Sequence, residues 1–156
     1  MTKYKIQEIS ENYLAETLEL IFNVFMEFEG IEYSQKGIIE FKDYIKKDNI
    51  TKLLNDNLKM WIALYNDKVI GIIASRNVNH ISLFFVDKHY HRQGIGSKLF
   101  ELVLNDCIIH NKNEITVNSS PYARIIYTKL GFEKTNTEQI VNGINFIPMK
   151  RILNND

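Results

Sequence analysis

Hydrophobic spacing along this chain switches between two periods. Residues 3–9 (KYKIQEI) alternate apolar with polar, which predicts a strand. Across 11–29, Leu14, Leu18, Ile21, Phe22 and Phe25 recur at helical spacing, and Ser10 stands at the N-cap position. Residues 35–47 (QKGIIEFKDYIKK) predict a second, shorter helix. The DNITKLLNDN that follows reads either as one more helical turn or as a loop. The period then drops to two. KMWIALY, KVIGIIAS and HISLFFV predict three successive strands, with Asn66-Asp67 as the hairpin turn between the first pair. Helical spacing returns in 95–110 (IGSKLFELVLNDCIIH), where Lys98, Glu101 and Asn105 mark the polar side. EITVNSS predicts a further strand. In SSPYARIIYTKLGF, Ser120 is placed as N-cap, Pro121 in the first turn and Gly131 just past the end of a helix. QIVNGINF closes the chain as a hairpin about Asn142-Gly143.

The resulting order is β-α-α-β-β-β-α-β-α-β-β. Three consecutive strands ahead of a βαβ-like segment imply a mixed α/β sheet with helices on both faces. No repeat, low-complexity tract or Pro/Gly-rich linker interrupts the 156 residues, so residues 1–156 are expected to form a single domain. Nineteen basic residues balance nineteen acidic ones, so no overall positive field argues for nucleic acid. One cysteine, Cys107, excludes an internal disulfide and a zinc cluster, and its apolar helical setting predicts a buried, inert thiol. MTKYKIQEIS carries no signal-peptide pattern, and no apolar run approaches the roughly 20 residues of a membrane helix. A reducing cytoplasm is the expected compartment.

Charge and composition leave the chemistry open; one short loop narrows it. HRQGIG (91–96) lies between the strand HISLFFV and the helix from Ile95, and it holds two of only seven glycines. A strand-to-helix turn built this way exposes backbone N–H groups at a helix N-terminus, an arrangement that binds anions. Glycine lets a phosphate approach without a Cβ in the way. Lys88, His89, His91, Arg92 and Lys98 add local positive charge. No G-x-x-x-x-G-K-[ST] loop is present, and GIGSKL ends in Leu99 where a dinucleotide fingerprint needs glycine.

VDKHYHRQGIGSKL resembles the acyl-CoA loop of the GNAT acetyltransferase superfamily, with His91 where arginine or glutamine is commoner. ITVNSSPYARIIYTKLGF is similar to that family's following strand, Asn- or Ser-bearing turn and tyrosine-containing helix. The resemblance implies a GNAT fold: a central, mostly antiparallel, twisted sheet of six to seven strands. It implies acetyl-CoA as cosubstrate, no metal, and direct attack of a primary amine on the thioester. Carried over by position, Phe84, Phe85 and Val86 would pair with the pantetheine arm. Arg92, Gln93, Gly94, Ile95, Gly96 and Ser97 would ring the pyrophosphate, and Ser120 would touch the cofactor near its pantetheine end. Tyr127 would be the acid that serves the leaving thiolate, and the Val86 N–H the oxyanion donor.

The base is less marked. His80 opens HISLFFV, and simple alternation puts it on one face with Ser82 and Phe84, where an imidazole would suit a proton relay. Glu27, Glu29 and Glu32 in MEFEGIEY are its rivals, as base or as partners of a cationic amine, with Phe25, Phe28 and Tyr33 as apolar walls. The expected acceptor is a small amine. A peptide amine is the alternative substrate, and an acyl-CoA-binding sensor or interaction module without turnover is the alternative function. The last hairpin is suited to contact in a homodimer.

Overall fold

The computed structural model describes residues 3–154. Its elements run β1 (Lys5–Glu8), α1 (Glu11–Phe28), a single turn at Gly30–Glu32, α2 (Gln35–Tyr44), α3 (Lys47–Leu54), β2 (Leu58–Tyr65), β3 (Lys68–Arg76) and β4 (His80–Val86). After a turn at Lys88–Tyr90 come α4 (Ile95–Ile109), β5 (Glu114–Ser119), α5 (Arg124–Lys129), β6 (Glu133–Lys134), β7 (Gln139–Val141) and β8 (Ile144–Ile152). The strands form one eight-stranded sheet in the order β1-β2-β3-β4-β5-β8-β6, with β7 beside β8. This is the expected mixed architecture, with short β6 taking the strand count past seven.

Apolar residues on opposite faces of the sheet build two cores. On one face Leu14 and Ile21 of α1 and Ile50 of α3 pack on Met60, Ile62, Ile72 and Leu83. On the other, Leu99, Phe100, Val103 and Cys107 of α4 and Tyr127 of α5 pack on Trp61, Ile73, Ile81 and Val117. DNITKLLNDN resolves into a true helix, because Ile50 is fully buried and Leu53 and Leu54 follow at helical spacing. Ser10 occupies the N-cap of α1, but its hydroxyl bonds Asn12 Oδ1 rather than a helix amide. Ser34 caps α2 instead, accepting from Gly37 N–H at 3.1 Å. Both expected hairpin turns form, with left-handed φ at Asn66, Asp67, Asn142 and Gly143. A Cβ on Gly37 would lie 2.1 Å from the Gly143 carbonyl oxygen, so α2 rests directly on the backbone of the last hairpin.

Two irregularities in β4 create the site. Its pairing with β3 slips between Ala74 and Ser75, leaving Ser82 as the extra residue of a bulge. The bulge shifts the alternation: Ile81, Phe84 and Val86 pack on the α4 side, while Leu83 and Phe85 pack on the α1 side. His80 therefore does not share a face with Phe84, contrary to the simple alternation of the sequence. On its other edge β4 runs parallel to β5 and pairs only at His80 with Thr116 and Ile81 with Val117. The two strands part beyond that point, and Leu83–Val86 has no strand partner on this side among the described residues.

Candidate active site

A cavity with a volume of about 380 Å³ lies against the end of β4, past the point where β4 parts from β5. Its walls come from Phe84, Phe85 and Val86 of β4, from Arg92, Gly94, Ile95, Gly96 and Ser97 at the start of α4, and from Tyr127 and Ile126 of α5. Phe28 and Glu29 close it from the end of α1.

One end of this cavity is lined by backbone donors. The amides of residues 92–97 make no hydrogen bond to any described residue; the first helical bond of α4 runs from Lys98 N–H to the Gly94 carbonyl. Gly94 is the N-cap with φ 80°, a left-handed conformation that favours glycine, and Arg92 shares that region at φ 64°. Gly96 is different. A Cβ there would meet the Phe84 ring at 3.6 Å and Val86 Cγ2 at 3.9 Å, both ordinary contacts, so internal packing does not require a glycine. The space it leaves open belongs to the cavity.

The middle of the cavity is the free edge of β4. Asp87 N–H bonds the Ile70 carbonyl on β3. Successive residues in a strand turn their amides to opposite edges, so the N–H groups of Val86 and Phe84 point into the gap. The Val86 carbonyl is already engaged, accepting from His91 Nε2 at 2.8 Å. His91, one of the basic residues of the loop, thus braces this edge and lines the cavity.

Tyr127 and Glu29 form the other end. Tyr127 is buried, its ring packed edge-on against Phe132 at 5.4 Å, and its hydroxyl bonds no described residue. Burial, reinforced by the Glu29 charge, holds the phenol well above the usual tyrosine range. Glu29 follows the last residue of α1 and is half-buried. Burial pushes its carboxyl up to about 6, with Glu32 adding to the rise and a hydrogen bond from Ser120 Oγ opposing it. Phe28 stacks on Tyr122 at 5.2 Å, so two contacts join the end of α1 to the β5–α5 segment.

The remaining expected residues lie elsewhere. His80 does not line the cavity; it is about 13 Å along β4 from Phe84 at the usual strand rise. Its Nδ1 pairs with Thr116 Oγ1 at 2.8 Å, and burial together with Arg76 lowers its proton affinity. Gln93 is exposed beside the loop. Glu27 is ion-paired with Lys88 outside the cavity. Tyr33 donates to the Asn145 carbonyl at 3.0 Å, tying the α1–α2 connection to β8. Ser120 is buried and turned to Glu29 rather than into the cavity. Cys107 is fully buried, and desolvation raises its thiol to about 11. Tyr122 was not singled out from the sequence; it and Ile126 stand four apart, and only the structure shows that both are exposed.

The family model described as Acetyltransferase (GNAT) domain matches residues 29–153. A GCN5-related N-acetyltransferase from Rhodopseudomonas palustris superposes with a TM-score of 0.84 at 16% identity, covering 98% of each chain. The PaiA N-acetyltransferase of Thermoplasma acidophilum, solved in complex with coenzyme A, gives 0.82 at 16% identity, covering 97% of this chain and all of that one. The uncharacterized N-acetyltransferase YafP of Escherichia coli is 29% identical over 82 residues, 53% of this chain and 51% of its own length. The chain spans about half the length of the curated relatives it matches. No helix among the described residues is long and apolar enough to cross a membrane. With the family match extending over most of the sequence and the fold agreeing along almost its whole length, the chain belongs to the GNAT acetyltransferase family.

Proposed function

We propose that this chain is an N-acetyltransferase that moves an acetyl group from acetyl-CoA to a small primary amine held in the same cavity. The observation that carries the reading is the run of unpaired amides at 92–97 at one end of a cavity that has Glu29 and Tyr127 at the other. Acetyl-CoA supplies an activated thioester, and its pyrophosphate suits the amide cradle, where Gly96 leaves room. The exposed amides of Phe84 and Val86 suit a pantetheine arm lying as an added strand, with Val86 N–H available to a carbonyl oxygen that gains negative charge.

Glu29 takes the proton of the attacking amine. A carboxylate raised from its ordinary 4.5 to about 6 is a stronger base and remains ionised at neutral pH. His80 lies too far along β4 to do this, so the role passes to the rival carboxylate. Tyr127 stays protonated and donates to the departing thiolate. The two groups are coupled, because the Glu29 charge is one of the causes holding the Tyr127 phenol high. When Glu29 gains a proton, that charge vanishes and Tyr127 becomes the better acid as the thiolate leaves. The Phe28–Tyr122 stack and the Glu29–Ser120 bond narrow the acceptor side, which favours a small amine over a peptide.

The test is thiol release from acetyl-CoA across a panel of primary amines, with the parent chain and Tyr127→Phe. One or more amines should accelerate release, and Tyr127→Phe should lose roughly 10²-fold of that rate while retaining acetyl-CoA affinity. Binding without acceleration by any amine would instead make the chain an acyl-CoA sensor. An unchanged rate in Tyr127→Phe would remove the acid role.

A further inference from the structure

Ser120 sits in the turn between β5 and α5, and its hydroxyl serves two partners. It accepts from Ala123 N–H at 3.1 Å and donates to Glu29 Oε1. A serine hydroxyl has one proton, and the Ala123 contact occupies a lone pair, so that proton is directed at Glu29. The adjacent hydroxyl of Ser119 is turned away, donating to the Ser120 carbonyl at 2.7 Å. The same side chain thus starts the turn leading into α5, which carries Tyr127, and grips the residue that follows α1.

We propose that Ser120 is a positioning residue for acetyl transfer, aiming the Glu29 carboxylate into the cavity through a hydrogen bond whose direction the Ala123 amide fixes, and making no cofactor contact of its own. The proposal rests on the reading of Glu29 as the base.

The surroundings leave Ser120 as the main polar restraint on that carboxylate. Glu32, in the turn after α1, is its like-charged neighbour. Tyr33, Tyr122 and Tyr127 feel its charge as neutral phenols. His91 and Arg92 line the same cavity from the α4 loop. Lys88, on the turn after β4, is engaged by Glu27. Burial and Glu32 push the carboxyl up, and the Ser120 bond is what opposes them. Loss of that bond should raise the proton affinity of Glu29.

The experiment is a carbon-13 carboxyl titration of the full chain by NMR, with the Glu29 signal assigned by its loss in Glu29→Gln. Parent, Ser120→Ala, Ser120→Cys and Ser120→Thr are compared, and each is also titrated calorimetrically with acetyl-CoA. The alanine and cysteine variants should raise the Glu29 midpoint by about one pH unit, and threonine should restore it. Acetyl-CoA affinity should stay within about twofold throughout. An unmoved midpoint in the alanine and cysteine variants would overturn the proposal. So would a loss of roughly tenfold or more in acetyl-CoA affinity, which would make Ser120 a cofactor contact. Should alanine fail to fold for want of the Ala123 cap, cysteine keeps the volume and carries the test. The base reading fails separately, if Glu29→Gln retains the acidic limb of the rate profile for the best amine of the panel.

Discussion

Replacing Glu29 with glutamine should stabilise the folded chain at neutral and higher pH while removing its activity. The carboxyl has an ordinary value of 4.5, and in the fold it is raised to about 6. Below the lower value both folded and unfolded chains hold the proton, and nothing is lost. As pH rises through the window between them the unfolded chain releases its proton first, so the native state loses stability until both are ionised. The gap of about 1.5 pH units, at about 1.4 kcal/mol each, amounts to roughly 2 kcal/mol. Glutamine keeps an oxygen to accept from Ser120 but makes a weaker, uncharged hydrogen bond, which trims the expected gain to about 1–2 kcal/mol. Urea denaturation of parent and variant at about pH 8, and again below about pH 4.5, measures it. The variant should be the more stable at the higher pH, and the difference should vanish at the lower. Equal stability at the higher pH would refute the claim that this carboxylate is held ionised against a desolvation cost.

Two glycines should respond in opposite ways. Gly96→Ala places its Cβ at an ordinary 3.6 Å from Phe84, so folding stability should hold or rise slightly. Acetyl-CoA affinity measured by calorimetry should nevertheless fall roughly 10- to 100-fold, as expected if one charge-assisted amide contact to phosphate is lost. Gly37→Ala drives its Cβ to 2.1 Å from the Gly143 oxygen, a backbone atom that cannot swing aside. That variant should lose about 3 kcal/mol or more in urea denaturation; a loss below about 0.5 kcal/mol would mean that α2 does not rest on the hairpin as described.

Much of this architecture was legible in local pattern. The alternating runs 59–65, 68–75 and 80–86 became β2, β3 and β4 within a residue or so, because each carries a dense apolar set for one core or both. Asn66-Asp67 and Asn142-Gly143 became left-handed hairpin turns for reasons contained in those residues. The HRQGIG loop likewise reached the N-terminus of α4, with the amides of residues 92–96 unpaired. What escaped the sequence depends on partners distant along the chain. The bulge at Ser82 comes from how β4 fits β3, and a single displaced residue moved His80 off the face of Phe84. Nothing local to MEFEGIEY separates Glu29 from Glu27 and Glu32. Only the fold, by laying the end of α1 across the β5–α5 turn, buries Glu29 against Ser120 and leaves Glu27 to Lys88. Ser120 is a similar case: its place in the turn ahead of α5 was local and visible, although the N-cap itself falls at Ala123, and its bond to a residue at the far end of another element was not visible.

The central claim is that the free amides at 92–97 hold the phosphates of acetyl-CoA while Glu29 and Tyr127 face its thioester. Amide hydrogen exchange, followed residue by residue by NMR with and without acetyl-CoA, tests it most directly. The account predicts strong new protection of the N–H groups of Ile95, Gly96 and Ser97, together with Val86 on the open strand edge. Protection confined to other parts of the chain, or none at saturating acetyl-CoA, would contradict it.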